Sequence, residues 1–273
     1  MKRRSKLWRI LLCCLSAVWY VEGRVQVDNT MNSSFSRHLQ DPILKVVTYN
    51  IRGCRDDSGQ ADAEAIVDDL RPLEADVIAL QEVDIRLPRS GFVNQVKEIA
   101  AALEMNYAYA PSINFGIGTY GNAILSRYPI RSATQHFLPF EVEPRQLLAA
   151  VIDIHGKPLQ LYATHLGLQP EERSRQLTLL VEHIAADMSA PSILLGDFNT
   201  RSGDPLLEPL RQLFHDPMYR ETSAVRTIKG DTTGQIDHIF LSEEVRFLRG
   251  FISTPSHSDH YPVGYYVQLP AES

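Results

Sequence analysis

The amino-acid sequence predicts an α/β fold of the α+β type, in which two mostly antiparallel β-sheets pack face to face with helices outside. From residue 43 onward, short β-branched or apolar runs alternate with segments whose apolar residues recur at helical spacing. Strand-like runs outnumber helical ones, which argues against a doubly wound parallel sheet. The chain has 273 residues, 44% of them hydrophobic and 22% charged, and this suffices for one domain with a large core.

The elements follow from these patterns in chain order. Runs 45–51 and 76–81 are predicted strands. Apolar spacing predicts helices at 66–73, 96–103, 170–188 and 204–213. The later strands are predicted at 123–125, 147–154, 159–164, 192–195, 236–241, 245–252 and 261–269. Because Gly156 and Pro158 lie between two of these strands, 147–154 and 159–164 are expected to form an antiparallel hairpin.

The first 23 residues are interpreted as a signal peptide or an N-terminal membrane anchor. Basic residues up to Arg9 precede an apolar run from Ile10 to Val21, which is the order found in export signals. This run is shorter than the roughly twenty residues that cross a bilayer as a helix. A weak cleavage site lies at 21–23, and a buried N-terminal helix is the alternative.

Two further boundaries complete the predicted organisation. Residues 24–42 are polar and rich in Asn and Ser, which is typical of a flexible linker, and residues 43–273 form the predicted catalytic domain. We expect an exported protein, either secreted or anchored at the outer face of the membrane, with membrane association through the N-terminal segment.

Charge and cysteine content exclude several classes of protein. Five of the 27 basic residues and one of the 33 acidic residues lie in positions 1–23, so the rest of the chain carries a net charge of −10. Such a body does not attract polyanions through its overall field, and nonspecific duplex binding is not indicated. Cys54 is the one cysteine after residue 14, which excludes a disulfide scaffold and zinc sites built on paired cysteines.

Polar side chains follow apolar runs abruptly at five places in the sequence. These places are Asn50, Gln81-Glu82, His165, Asp197 with Asn199, and Asp259-His260. Each one alone has an ordinary explanation, such as a turn former, a solvated strand end or a half-buried histidine. Strands of a common sheet can deliver such groups to one edge, so all five in one chain favour a catalytic site.

Seven motifs carry a resemblance to a known family. They are TYNIRG at 48–53, LQEVD at 80–84, GNAILSR at 121–127, THLG at 164–167, GDFN at 196–199, IDHIFLS at 236–242 and SDHYPV at 258–263. In this order they resemble the endonuclease/exonuclease/phosphatase superfamily, which includes DNase I-like nucleases, bacterial sphingomyelinases and inositol-polyphosphate phosphatases. The resemblance covers roughly residues 44–269 and implies a four-layer sandwich fold.

The resemblance also implies a metal site. Phosphate-ester hydrolysis needs charge neutralisation on the non-bridging oxygens, an oriented water and help for the leaving oxygen. Hard oxygen ligands suit Mg²⁺, for which Mn²⁺ is a possible substitute. Glu82 is the leading predicted ligand, with Asn50 and Asp259 beside it.

The catalytic roles implied by the resemblance fall on the remaining motif residues. His260 is predicted as general base or phosphate-polarising imidazole, with Asp237 bonding its other ring nitrogen. Asp197 is predicted to activate water or protonate the leaving group. Asn199 is expected to donate to the phosphate, and His165 matches the histidine that many members place against the scissile phosphate.

Three more residues are predicted to bind substrate. Asn122 in the GNA run is expected to be a phosphate-side donor, with a turn amide as the alternative. Arg86 and Arg89 follow Glu82 in a loop and are predicted to reach the phosphate as a fork of donors, with surface solvation as the alternative. His238 neighbours Asp237 on a strand, so alternation points it to the other face and predicts a structural role.

The sequence motifs of other enzyme classes are either absent or in the wrong structural context. The GxGxxG at 116–121 precedes a strand and opens no helix, and the nucleophile elbow and the phosphate-binding loop of NTPases are absent. The sequence therefore predicts an exported, Mg²⁺-dependent phosphoesterase, preferably a phosphodiesterase, that acts on a phospholipid or small phosphoester by direct attack of water. The alternatives are a secreted DNase I-like nuclease that acts on nucleic acid, a phosphomonoesterase, and a catalytically silent binding module. No protein partner is implied.

Overall fold

A computed structural model describes residues 24–31, 43–218, 226–230 and 234–270. The strands are β1 Gln26–Asp28, β2 Ile43–Asn50, β3 Val77–Ile85, β4 Asn106–Asn114, β5 Thr119–Ser126, β6 Ile130–Leu138, β7 Arg145–Ile154, β8 Lys157–His165, β9 Ser192–Asp197, β10 Asp237–Leu241, β11 Arg246–Ile252 and β12 Val263–Gln268. The α-helices are α1 Ala63–Leu70, α2 Gln95–Ala102, α3 Pro170–Asp187 and α4 Glu208–Arg211. Short 3₁₀ helices lie at Arg52–Cys54, Arg71–Leu73, Pro88–Ser90 and Pro205–Leu207.

The strands form two sheets. The larger has the order β1-β4-β5-β3-β2-β12-β11 and the smaller β10-β9-β8-β7-β6. Each sheet contains a single parallel pair among the described strands, β2 with β3 and β8 with β9, and the other pairs are antiparallel. The prediction of two mostly antiparallel sheets is confirmed, as is the hairpin formed by β7 and β8.

Three apolar clusters make the fold a four-layer sandwich. One cluster lies between the sheets and combines residues such as Val46 of β2 with Leu161 of β8. The alternate face of β2, including Val47, packs on α1 and α2. The outer face of the smaller sheet packs on α3 and α4. Because successive strand residues point to opposite faces, central strands buried on both faces appear in the sequence as continuous apolar runs.

Three strands lie outside the predicted set: β1, β4 and β6. Strand β6 has one half-exposed face and many polar residues, so its sequence lacks a strong apolar pattern. Strand β1 falls inside the segment 24–42 that the sequence predicts as a linker. Its residue Gln26 pairs with Tyr109 at the sheet edge, which shows that backbone pairing can order a polar segment. The boundaries of the linker at residues 24 and 42 stay a prediction.

The N-terminal residues 1–23 lie outside the described residues, so the predicted signal peptide or anchor remains a prediction. Among the residues that are described, no helix has the length and apolar character needed to cross a membrane. The predicted fourth helix is split into the 3₁₀ turn Pro205–Leu207 and α4, with the Asp204 carboxylate accepting from the N–H of Leu206 at 2.9 Å.

Candidate active site

The two parallel strand pairs end next to each other and supply the polar centre. Parallel neighbours carry their carboxyl ends to the same edge, and here β2 ends at Asn50 while β3 carries Glu82 close to its end. In the smaller sheet His165 and Asp197 are register partners at the ends of β8 and β9. The polar residues predicted at the strand ends are therefore brought to one edge of the sandwich.

Glu82 lies on a strained backbone. Its φ is 59°, a region that non-glycine residues rarely occupy, and the β3–β5 register shifts between Leu80 and Val83. Such a bulge turns the side chain away from the regular alternation of the strand. Strain of this kind costs about 1–3 kcal/mol and is concentrated at functional positions. The bulge is thus a local reason for Glu82 to face the edge of the site.

Asn50 joins the two sheets through one amide nitrogen. Its Nδ2 donates to Glu82 Oε1 at 3.1 Å and to Asp197 Oδ2 at 3.0 Å. Its Oδ1 accepts from the backbone N–H of Arg52 at 3.0 Å, which fixes the orientation of the amide. Glu82 and Asp197 therefore face a common point although they belong to different sheets.

His260 is held by Asp237. Its Nδ1 donates to the two carboxylate oxygens of Asp237 at 2.9 and 3.1 Å, which leaves Nε2 directed toward Asp197 Oδ2 at 3.8 Å. Burial alone lowers the pKa of His260, but the charge and hydrogen bond of Asp237, with smaller contributions from Asp197 and Asp259, raise it overall. The imidazole is a cation near neutral pH in this arrangement.

Asp197 is the centre of the polar cluster. Burial and the neighbouring Asp237 charge raise its pKa, while His260 and hydrogen bonds from Asn199 and Asn50 act in the opposite direction. Its Oδ1 accepts from the N–H of Asn199 at 2.9 Å. A side chain at Gly196 is excluded, because a Cβ there would lie 2.1 Å from the carbonyl oxygen of Thr164 on β8. The glycine of the GDFN motif thus lets β8 and β9 approach.

His165 has a defined tautomer. Arg145 only donates hydrogen bonds, so His165 Nδ1 must accept from Arg145 Nη1 at 3.0 Å. The proton of the neutral ring is then on Nε2, which lies 3.5 Å from Asp197 Oδ2. Burial, Arg145 and His260 all lower the pKa of His165. His165 is therefore a neutral donor beside the cationic His260.

Sequence reasoning missed Arg145 and Tyr120. Arg145 is buried at the start of β7 and also pairs with Glu143 at 2.9 Å. Burial and the charges of Glu82 and Glu143 raise the pKa of Tyr120, whereas Arg145 acts in the opposite direction. Arg145 could have been found from the predicted β7–β8 hairpin. Its antiparallel register puts the start of β7, where Arg145 lies, beside the end of β8, where His165 lies.

The C-terminal motif is tied to β2 by Ser258. Its Oγ donates to the carbonyl of Asn50 at 2.8 Å, and its N–H donates to the hydroxyl of Tyr49 at 3.1 Å. Asp259, a predicted metal ligand, is half-exposed and lies 3.4 Å from Arg52 Nε through its Oδ2. These contacts bring the two ends of the catalytic sequence together.

The two predicted amide donors differ in their surroundings. Asn199 Nδ2 donates to the carbonyl of Leu166 at 2.9 Å, so one of its two protons is already used. Asn122 is buried on β5 opposite the bulge, and its Nδ2 has no hydrogen-bond partner among the described residues. A buried donor without an acceptor is costly, and this favours Asn122 as a donor to a bound group.

The predicted arginine fork is not assembled. Arg89 donates from Nε and Nη2 to both oxygens of the buried Asp84 at 2.8 and 2.7 Å, and its guanidinium lies 5.3 Å from the Tyr120 ring centroid. The Arg86 side chain is exposed at the start of the loop. Arg89 is therefore engaged in a structural ion pair. The Asp84 carboxylate is buried, and a buried charge without a charged partner would strongly destabilise the fold.

His238 has the structural role that alternation predicts. It is buried, and its Nε2 donates to the carbonyl of Thr200 at 2.8 Å on the far side of β10 from Asp237. The GxGxxG segment, discarded on sequence grounds, forms the turn between β4 and β5, with the N–H of Phe115 bonded to the carbonyl of Gly118 at 2.9 Å.

The sequence of this edge matches a known family. The model of the Endonuclease/Exonuclease/phosphatase family matches residues 47–260, which include every strand-end residue from Asn50 to His260. The chain belongs to the endonuclease/exonuclease/phosphatase family. The resemblance carried by the seven motifs is confirmed, and the four-layer sandwich is the fold that it implies.

Several known proteins resemble this chain in sequence or in structure. Uncharacterized protein YbhP of Escherichia coli K12 is 28% identical over 168 residues, which are 57% of this chain and 66% of YbhP, slightly less than two thirds of that relative. The family protein of Beutenbergia cavernae has a TM-score of 0.73 at 22% identity, covering 84% of this chain and 72% of that one. Mannosyl-6-phosphatase Bt3783 of Bacteroides thetaiotaomicron has a TM-score of 0.65 at 20% identity, covering 82% and 99%. At these identities the structural likeness establishes the fold.

The side chains of the site fit a divalent cation. Atoms of Asp197, Asp237 and His260 lie within 4.8 Å of one another. Because His260 Nδ1 is bonded to Asp237 and both Asp197 oxygens accept hydrogen bonds from Asn199 and Asn50, a bound cation would displace some of these bonds. Burial raises the pKa of Glu82 despite the bond from Asn50, which indicates a carboxylate that a neighbouring cation would stabilise. Carboxylate oxygens are the donors that hard cations prefer.

Proposed function

We propose that the chain is a Mg²⁺-dependent phosphoesterase that cleaves a phosphodiester by direct attack of water. The observation that carries this proposal is the convergence of Glu82, Asp197 and His260 on one edge, with Asn50 bonded to both carboxylates. Mn²⁺ is expected to substitute, because carboxylate and carbonyl ligands suit both ions. The family to which the chain belongs supports a phosphate-ester substrate.

The ion would be held by Glu82, with Asn50 and Asp259 beside it. When bound, it would neutralise charge on the phosphate oxygens and lower the barrier to attack. Asn50 would need to turn its amide to offer Oδ1, because in the present arrangement Nδ2 faces the carboxylates. The Asp259 carboxylate would likewise have to leave Arg52, from which it lies 3.4 Å.

The remaining residues divide the proton chemistry. Asp197, a carboxylate whose pKa is raised by burial and by Asp237, is a stronger base than an exposed aspartate and would accept a proton from water. His260, positively charged and oriented by Asp237, would donate from Nε2 to a phosphate oxygen. Neutral His165 would donate from its own Nε2 on the opposite side of Asp197.

A phospholipid or small phosphodiester is our preferred substrate. The chain after residue 23 has a net charge of −10, and duplex DNA requires clustered basic residues whose binding collapses with salt. Arg89, one of the two arginines predicted to bind the phosphate, is paired with Asp84. We further propose export, with residues 1–23 as a cleaved signal or as an anchor at the outer face of the membrane.

A hydrolysis screen tests the reaction and the substrate together. The full chain would be incubated in Mg²⁺ buffer with phosphatidylcholine vesicles, a soluble phosphodiester, sugar phosphates, inositol phosphates, RNA and plasmid. We expect turnover of lipid or small esters, weak dependence on salt, and loss of activity in excess chelator with recovery on adding Mg²⁺. Rapid plasmid cleavage without turnover of small esters would instead make it a secreted nuclease. No hydrolysis at all would support a silent binding module.

A further inference from the structure

Five large apolar side chains are exposed on three loops that border the active site. They are Phe115 and Ile117 between β4 and β5, Phe140 and Val142 between β6 and β7, and Leu168 between β8 and α3, and together we name them the apolar rim. Their exposed fractions run from 37% to 81%. None of the five contributes to the three apolar clusters of the described core. Their exposure costs free energy unless something covers them.

The strand registers place all three loops at the catalytic edge. Strand β5 begins at Thr119, which pairs with Ile85 at the end of β3 beyond Glu82. In the smaller sheet β7 begins at Arg145, whose side chain contacts His165 at the end of β8. The loops before β5, before β7 and after β8 therefore leave the sandwich at the same edge as the site.

Hydrogen bonds tie strand β4, which leads into the first loop, to the smaller sheet, and they join the other two loops through Gln176. Gln135 and Gln146 of the smaller sheet donate to the carbonyls of Pro111 and Ala110 on β4, at 2.6 and 3.0 Å. Gln176 of α3 donates to the carbonyl of Pro139 at 2.8 Å and accepts from the N–H of Gly167 at 2.8 Å. The apolar rim thus continues from the β4–β5 turn of one sheet to the start of α3 beside the other.

The chain enters the described structure from this same edge. Strand β1 runs antiparallel to β4, with Gln26 opposite Tyr109 and Asp28 opposite Tyr107, so its start is turned toward the loop that carries Phe115. The apolar run Ile10–Val21 ends five residues before Gln26. Five residues span at most roughly 17 Å, which is also about the distance from Tyr109 to the end of β4. The described chain therefore begins on the side of the apolar rim.

From these observations we propose that the apolar rim docks on a lipid bilayer, so that the active site opens onto the membrane surface. The rim lies at the edge where the described chain begins, and the sequence before that point contains the apolar run Ile10–Val21; a bilayer accommodates both apolar features. Since the chain after residue 23 carries a net charge of −10, the surface fits a zwitterionic bilayer better than an anionic one. This inference rests on the proposed function, because it assigns the lipid class of substrate to the same site.

Hydrogen–deuterium exchange of the full chain with phosphatidylcholine vesicles tests the docking directly. We expect the backbone of 115–118, 139–144 and 166–169 to exchange more slowly with vesicles than without. Ile117→Ser with Leu168→Ser should abolish this protection and lower turnover of vesicle lipid about tenfold, while turnover of a soluble phosphodiester stays unchanged. The matched control is Ile43→Ser with Leu248→Ser, two exposed apolar residues near the opposite end of the larger sheet, which should change neither.

The outcomes separate this inference from the proposed function. Protection of the rim without hydrolysis of any phosphoester would refute the proposed function and leave the docking standing. Hydrolysis of the soluble ester together with an unprotected rim, and with vesicle turnover insensitive to the serine pair, would overturn the docking alone. Rim protection that grows with protein concentration in the absence of vesicles would also overturn it, since a second copy of the chain would then be the occupant.

Discussion

The two parallel strand pairs present different chemistry to the same edge. Strands β2 and β3 deliver Asn50 and Glu82, and Glu82 is half-exposed on a strained bulge. Strands β8 and β9 deliver His165 and Asp197, which are buried among hydrogen-bonded neighbours. Glu82 keeps some contact with solvent although burial raises its pKa too, whereas His165 and Asp197 are enclosed and have their pKa values set by burial and by neighbouring charges.

This difference teaches how one fold separates binding from proton transfer. A ligand that binds and leaves needs an accessible carboxylate, so the β3 side tolerates strain to turn Glu82 outward. Groups that exchange protons need stable orientation, so the β9 side uses Asp237, Asn199 and Asn50 to fix its members. Substitutions on the two sides should therefore fail in different ways.

The largest effect is expected for Glu82→Gln. Gln keeps the shape but removes the charge, so kcat/KM should fall by at least about 1000-fold while the melting temperature changes little. Steady-state kinetics and thermal unfolding measure both quantities. Glu182→Gln, on the exposed face of α3, is the matched control and should be neutral. Activity that survives Glu82→Gln and excess chelator would contradict the one-metal proposal.

Asp237 and His260 should act together, so the losses of activity from substituting them should not add. Asp237→Asn should lower kcat/KM by about 100-fold or more, because it removes the charge that keeps His260 protonated and oriented. The double change Asp237→Asn with His260→Ala should cost little more than His260→Ala alone, since residues that act together give non-additive losses. A double-mutant cycle in log(kcat/KM) checks this, and strictly additive losses would show that the two residues act separately.

Arg145→Lys should have a smaller effect, and it tests whether the β8–β9 pair can be impaired without affecting the β2–β3 pair. Lysine keeps the charge but loses the planar guanidinium whose Nη1 contacts both Glu143 and His165. We expect kcat to fall about tenfold, with metal affinity unchanged because Glu82 lies on the other strand pair. The control is Arg131→Lys near the opposite end of the smaller sheet, where Arg131 pairs with Asp153. A loss of metal affinity equal to the loss of kcat would argue that the two sides are not separable.

The smallest effect on activity is expected at Arg89. Arg89→Ala leaves the Asp84 carboxylate buried without its partner, which should lower the free energy of unfolding by about 2–3 kcal/mol. Because the guanidinium is occupied by both oxygens of Asp84, kcat/KM of the folded protein should change less than about threefold. Denaturant unfolding and kinetics at low temperature measure these two quantities. A large rise in KM at unchanged stability would restore the predicted role in substrate binding.

The fold and much of the site could be predicted because their causes are local. Apolar runs that end in Asn50, Glu82, His165 and Asp197 show in the sequence, and parallel pairing necessarily brings such ends to one edge. Strand β6 and strand β1 escaped prediction because sheet pairing, and not their own polar sequences, keeps them extended. The hairpin of β7 and β8 was predicted from its turn residues, Gly156 and Pro158, and the structure contains it.

What the sequence by itself determined is the set of groups that meet and the family to which the chain belongs. Tertiary structure decided the charge, the tautomer and the hydrogen-bond partners of these groups. The proton of His165 is on Nε2 only because Arg145, twenty residues earlier, donates to Nδ1, and Asn50 joins Glu82 to Asp197 only because two sheets pack face to face. Arg89 turned to Asp84 because that carboxylate is buried. Charge state, tautomer and partner depend on which groups approach through space, and distances between sheets are not encoded in any local pattern.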